Sequence, residues 1–541
     1  MRIWFLPRQL NVRSVGLLAA VLLISGLLLM PGFGLLITAF KPGTFETIAH
    51  LFSTVIPRYS LNTAGLVVMV LLTVALFGVG SAWLTACYRF SGHRLLSWML
   101  VLPLAIPSFV MAYAYTDLLD VAGPIQSFLR AATGLSVQTL WFPEVRSVSG
   151  AGLMLGFALY PYVYIVARQA FEERSASAIE AAKTLGLSDF EIWCSVIWPM
   201  ARPAIIAGAT LVTMETVADF GAVSYFAVDT FTTGIYKAWL SMGDKVAAIQ
   251  LALSLLAVLA CFVWIERRQR LAIQTHSRNS RKVAPLRLAG AKALMAACFC
   301  GLPVLLGFIV PIAVLLNVAT KAEVVFDLRL FTWISNGVGL AGVAAVMILL
   351  IAIFLSYANR LLQSGFGRLI ASIAQFGYAM PGLVIAVGLL MAISAFAPFS
   401  TYSGGMAASA GVLVFAYAVR FLAVGYQNID AALYRISPAM DASARSLGRG
   451  VVGVWIDVHW PLLRRAIFGA FLLVFIDCFK ELQTTLVLRP LNFDTLVVIA
   501  YQFASDERLA EAAVPSLLIV VISTLPVLLL WRGSSRRLEH A

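Results

Sequence analysis

The stretch AAKTLGLSDFEIWCSVIWPMARPAI, residues 181–205, falls on SARSLGRGVVGVWIDVHWPLLRRAI, residues 443–467, when the chain is shifted by 262 residues. Gly186 meets Gly448, Trp198 meets Trp460, Pro199 meets Pro461 and Ile205 meets Ile467. Each copy is polar in an apolar neighbourhood and reads as helix, turn, helix. Residues 180–185 favour a helix, Gly186 permits the left-handed backbone that ends it, and Ser188 can cap a second helix. Phe190, Trp193, Val196 and Ile197 then form an apolar stripe at helical spacing, and Pro199 closes the segment. Upstream, MLGFALY (154–160) pairs with VLVFAYA (412–418), which implies four additional residues before the second loop.

The surrounding chain has 541 residues, 61% of them hydrophobic and 12% charged, with a mean hydropathy of +0.91. Soluble domains carry about a quarter charged residues, and apolar runs near twenty residues long indicate membrane spans. About twelve such segments are expected, near 14–40, 61–87, 95–117, 149–167, 203–228 and 246–265, then 289–318, 336–358, 369–398, 405–424, 466–488 and 512–531. The first is too long for the apolar core of a signal peptide. The fold class is therefore an all-α polytopic membrane protein of two duplicated six-helix halves. The first half covers 1–265 with its polar loop at 169–201, a basic linker covers 266–288, and the second half covers 289–541 with its loop at 426–463. Most of the 39 Lys and Arg fall where the linker, the two polar loops and both termini share the cytoplasmic side. The net charge of +13 is thus a topology signal, and a nucleic-acid partner is not expected. The six cysteines lack the spacing of a metal or redox site.

An ionisable residue inside a span is a functional candidate by default. Glu215 and Asp219 follow the first polar loop, and Asp477, Lys480 and Glu481 follow the second; the same shift places Glu215 on Asp477 and Asp219 on Glu481. Four residues apart on one helix, each pair of acids would share a face. Their depth is roughly 18 to 24 Å from the cytoplasmic end at 1.5 Å per residue. Lining of a central pathway competes here with internal salt bridges to Lys480 and neighbouring arginines. Carboxylates of this kind suit hard, highly charged cations. A phosphate-binding G-x-x-x-x-G-K-[S/T] loop is absent from the sequence.

The polar loops resemble the coupling loops of ABC importer transmembrane permeases of type I. Glu180, Ala181, Ala182, Gly186 and Pro199 match that pattern in the first loop. The second departs from it, with Ala442 at the glutamate position and Asp441 one residue earlier, while Gly448 and Pro461 remain. The resemblance implies that these residues meet two copies of a cytoplasmic ABC ATPase subunit, which uses the ATP, so that this chain is a permease and not an enzyme. The segments METVADFGAVSYFAVDTFTTGIYKAW (214–239), DCFKELQTTLVLRPLNFDTL (477–496) and ASDERLAEAAVPSLLIV (504–520) are similar to the fused permeases of binding-protein-dependent ferric iron importers. That similarity implies a bacterial inner-membrane protein that binds no cofactor of its own and carries Fe³⁺ as substrate. Glu215, Asp219, Asp477 and Glu481 would be transient metal contacts, and a periplasmic iron-binding protein would dock on loops 118–148 and 489–511. A fused permease for a small cation such as thiamine, an ion-gradient-driven secondary transporter and a membrane scaffold are the alternatives.

Overall fold

The computed structural model describes residues 12–40, 44–173, 176–271, 285–321, 328–362, 370, 373–396 and 410–539. Eight of its helices are long and apolar enough to cross a membrane, or eleven when each of three bent pairs counts as one span. The one expected segment left over, 466–488, coincides with the helix Trp460–Phe479, which carries Arg464, Arg465 and Asp477 and is not among them. The expected spans at 95–117 and 369–398 are not single helices. They bend by 96° at Ile106–Pro107 and by 114° at Met380–Pro381. A proline pushes the residue before it out of the helical region, and Ile106 and Met380 are extended, with ψ of 122° and 125°.

The chain divides into two compact units, and their boundaries differ from those of the sequence halves. One unit holds Met1–Thr44, Phe326–Val498 and Leu525–Ala541; the other holds Phe45–Val325 and Ile499–Thr524. The opening helices Val12–Leu28 and Met30–Ala39 thus pack with elements of the second half, and Gly290–Ala319 packs with elements of the first.

In the first-named unit, Met30–Ala39 lies on Gly382–Phe396. A Cβ on Gly34 would strike the carbonyl of Gly388, and one on Gly388 would strike the carbonyl of Pro31. Close approach of small residues is how helices associate in lipid, where no hydrophobic driving force acts between them. Leu328–Leu362 and Trp460–Phe479 both pack on Ala410–Tyr434.

In the other unit, Val148–Glu172 is central, packing on Ile56–Val74, Gly80–Cys87 and Trp198–Ala218. Gly152 and Gly156 face Met69 and Thr73, and added Cβ atoms would come within 2.6 and 2.5 Å of them. The end of the linker makes the sole sheet pairing among the described residues. Tyr88–Arg89 and Leu286–Arg287 form a two-residue parallel ladder, a feature that the all-α reading omitted. The linker also starts later than expected, because the helix from Lys245 runs to Leu271; residues 272–284 lie outside the described ones.

The internal repeat is preserved in secondary structure. Val148–Glu172, Ala176–Thr184 and Asp189–Ile192 recur 262 residues later as Ala410–Tyr434, Pro438–Ser446 and Val451–Val454. Because Glu172 and Tyr434 keep that shift, the second loop has no four-residue insertion before it. The pairing of 154–160 with 412–418 was one helical turn out of register, an ambiguity natural to an apolar helix whose sequence nearly repeats each turn.

Candidate functional site

Both polar loops are built by the same local chemistry. In the first, Gly186 N–H donates to the carbonyl of Lys183 at 3.0 Å and Leu187 N–H to that of Ala182 at 3.2 Å. In the second, Gly448 N–H donates to Arg445 at 3.0 Å and Arg449 N–H to Ala444 at 3.1 Å. This is the Schellman closure of a helix. Gly186 and Gly448 have φ of 80° and 81°, with open space where a Cβ would stand. The backbone conformation, not crowding, therefore requires glycine at both. Ser188 and Glu191 close a capping box at the start of the next helix.

In each loop that next helix passes through a π turn, Trp193–Ile197 and Trp455–His459, before the long helices from Trp198 and Trp460. The π turn shifts the helical phase and disperses the expected stripe. Phe190 is 75% exposed, Trp193 stacks on Trp198, and the buried residue is Ile192. Glu180 and Ala181 are exposed, Ala182 is buried and Pro199 is exposed. Ala442 and Pro461 are likewise exposed, with Ala444 buried at the place of Ala182. Two large apolar side chains stand out from each loop at matched positions, Leu185 and Phe190 in the first and Leu447 and Val452 in the second, all at least 70% exposed.

Asp441 differs from its expected part. It is turned inward, where Arg360 Nε donates to its Oδ2 and His459 Nε2 meets its Oδ1, both at 2.8 Å. Arg360 also donates to the carbonyls of Leu433 at 2.8 Å and Ile436 at 3.0 Å. Sequence spacing gave no sign of this cluster, since Arg360 is 81 residues away.

The intramembrane acids do not share one helical face. The helix Trp198–Ala218 ends just before Asp219, and Trp460–Phe479 ends just before Lys480, so Asp219 and Glu481 lie beyond the ends. Each carboxylate instead starts the short helix that follows. Asp219 Oδ1 accepts the N–H groups of Ala222 and Val223 at 3.0 and 3.2 Å, and its Oδ2 accepts the Ser108 hydroxyl at 2.5 Å. Glu481 Oε1 accepts from Arg420 at 2.8 Å, from the Thr484 N–H at 3.0 Å and from the Thr484 hydroxyl at 2.8 Å.

Ser108 follows Pro107 at the first bend, and Gly382 follows Pro381 at the second. A Cβ on Gly382 would collide with Arg420 and Glu481. The Ser108–Asp219 bond of one repeat is thus replaced in the other by a buried Arg420–Glu481 pair that needs a glycine beside it. Glu215 and Asp477 remain within their helices, both half-buried. Among the described residues no three His, Cys, Asp or Glu side chains gather as a metal site would need.

In the outer-loop candidates, the helix Pro124–Thr133 is followed by Trp141, 86% exposed, and Leu491 is 92% exposed in the second loop, where Arg489 pairs with Asp494.

These features belong to a known class. Residues 75–271 match the family described as binding-protein-dependent transport system inner membrane component. The chain is an all-α polytopic membrane protein that is similar to permeases of that transport type. Among particular relatives, it is 26% identical to the Fe(3+)-transport system permease protein FbpB 2 of Haemophilus influenzae, over 94% of this chain and 96% of that protein. It is 22% identical to the ferric transport system permease protein FbpB of Actinobacillus pleuropneumoniae, over 97% of this chain and 79% of the relative. The sulfate transport system permease protein CysT of Escherichia coli is 31% identical, over 28% of this chain and 52% of its own length.

Proposed function

We propose that this chain is the permease of an ATP-driven ferric iron importer. One observation carries the reading: similarity to a permease named for Fe(3+) transport extends over 94% of the chain, through both sequence halves, whereas the sulfate permease matches 28%. The protein sits in the bacterial inner membrane with both termini in the cytoplasm. A periplasmic protein delivers Fe³⁺ to the outer loops. Two copies of an ATPase subunit seat against Glu180–Pro199 and Ala442–Pro461, where the exposed Leu185, Phe190, Leu447 and Val452 supply apolar contact. ATPase closure draws the loops together and reverses the side on which the pathway opens. Glu215 and Asp477, which remain on the long helices, are the acids proposed to meet the passing cation. Asp219 and Glu481 hold the helix breaks that shape the route.

Uptake of radioactive iron into liposomes holding the chain, its ATPase and the binding protein tests the substrate. Ferric iron should accumulate and resist competition by excess thiamine or sulfate. Accumulation of either competitor in place of iron would refute the assignment. Glu215→Gln combined with Asp477→Asn should lower uptake while binding-protein docking persists, and unchanged uptake would remove these acids from the pathway.

A further inference from the structure

The two loops are alike in backbone yet unlike in how they are fastened. Arg360, on the long helix Leu328–Leu362, bonds the end of Ala410–Tyr434 through the carbonyl of Leu433, the connection after it through the carbonyl of Ile436, and the loop helix Pro438–Ser446 through Asp441. Asp441 passes the connection on to His459, in the π turn that leads to Trp460–Phe479. Tyr357, one helical turn before Arg360, closes the cluster. Its ring meets Trp455 and His459 edge-on at 5.2 and 5.4 Å, and its hydroxyl donates to the carbonyl of Val451 at 3.3 Å. His459 is fully buried, and the Arg360 and Asp441 side chains are 17% and 13% exposed. A planar guanidinium with several donors in a fixed fork suits this cross-bracing, and a lysine does not.

Positions 262 residues earlier hold Ile179 where Asp441 stands and Ile197 where His459 stands. The first loop therefore has neither the acid nor the imidazole at the matching places. Asp441 is not a displaced copy of Glu180.

We infer that Arg360, Asp441 and His459 form an ionic latch that fixes the second coupling loop to the long helices, making it the stiffer of two unequal transmitters. The inference rests on the coupling reading of the loops. All three are positioning residues and touch no substrate. Force applied to the loop helix passes through Asp441 to Arg360 on Leu328–Leu362, through Arg360 to the end of Ala410–Tyr434, and through His459 to the π turn that leads into Trp460–Phe479. Ile179 and Ile197 at the matching places of the first loop cannot make these ionic bonds.

The test uses the full chain in two preparations. For mobility, its native cysteines are replaced and Leu447→Cys or Leu185→Cys carries a nitroxide, in liposomes without the ATPase. For the ratio of iron moved to ATP hydrolysed, the chain is unlabelled and reconstituted with the ATPase and binding protein. These exposed sites are matched in the two loops. Asp441→Asn and, as a second variant, Arg360→Lys should mobilise the label at 447 and leave that at 185 unchanged. Iron moved per ATP hydrolysed should fall by roughly fivefold or more, the lower range of ordinary coupling energies, with the KM for ATP preserved. His459→Gln, which keeps a donor, should retain the ratio better than His459→Leu. Unchanged mobility at 447, or equal loosening at both sites, would overturn the latch. If the native protein moves no iron under ATP, the coupling reading fails instead, and label mobility still decides whether the latch exists.

Discussion

A single buried pair shows how one residue constrains its neighbours. Arg420 and Glu481 are 10% and 6% exposed, and Gly382 leaves the space they occupy. Removing one partner of such a pair leaves an uncompensated buried charge, which costs about 3–5 kcal/mol. Arg420→Leu should therefore lower the thermal midpoint of the purified protein far more than Arg464→Leu at an exposed site. Gly382→Ala should also destabilise it, and equal midpoints for Gly382→Ala and native protein would contradict the described packing. Asp441 supplies a pH signature. Burial raises its carboxyl, but the hydrogen bonds from Arg360 and His459 outweigh that and hold it below the ordinary value of 3.8. A lowered folded value means the stabilisation is complete above the unfolded value and is lost as pH falls through the folded one. Relative to its own neutral-pH stability, Asp441→Asn should accordingly lose less on acidification than the native protein, because it lacks the contribution that acid removes. The sequence disclosed Gly186 and Gly448 because a repeated glycine between helices has a local cause. It did not disclose Arg360, Ser108 or Gly382, whose partners lie far along the chain.

At the level of elements, hydrophobic length located most spans but not their interruptions. Pro107 and Pro381 lie within apolar runs and produce bends of 96° and 114° that a sliding count of apolar residues passes over. Proline is tolerated at such depth only where other groups satisfy the freed backbone. Asp219 and Glu481 do comparable work at the other two breaks, which is why acids four residues apart did not end on one face. Helix crossings at glycine belong to this scale too. Gly156→Leu would drive a side chain into Thr73, where even a Cβ comes within 2.5 Å. Overpacking of this kind costs about 1–3 kcal/mol, so the variant should show a lower melting midpoint, while Gly16→Leu, in open surroundings, should not. The loops make a separate prediction. Gly186→Val and Gly448→Val each force a branched residue to positive φ, at about 1–2 kcal/mol, and should reduce iron uptake with little change in membrane insertion. Full uptake in both variants would deny the loops a coupling role.

For the whole molecule, duplication was legible and packing was not. A shift of 262 residues aligns both loops down to the π turns, yet the compact units draw the opening helices of each half into the other. A repeat is a property of sequence order, whereas a compact unit depends on which small-residue faces meet, and the first says little about the second. The central claim is that another protein's ATP hydrolysis moves ferric iron through this chain. The most direct measurement is iron accumulation in sealed liposomes containing the chain, the ATPase subunit and the iron-loaded binding protein, with ATP and ion gradients varied independently. The account predicts accumulation that requires ATP and persists when proton and sodium gradients are collapsed. Accumulation that follows either gradient and ignores ATP would contradict it.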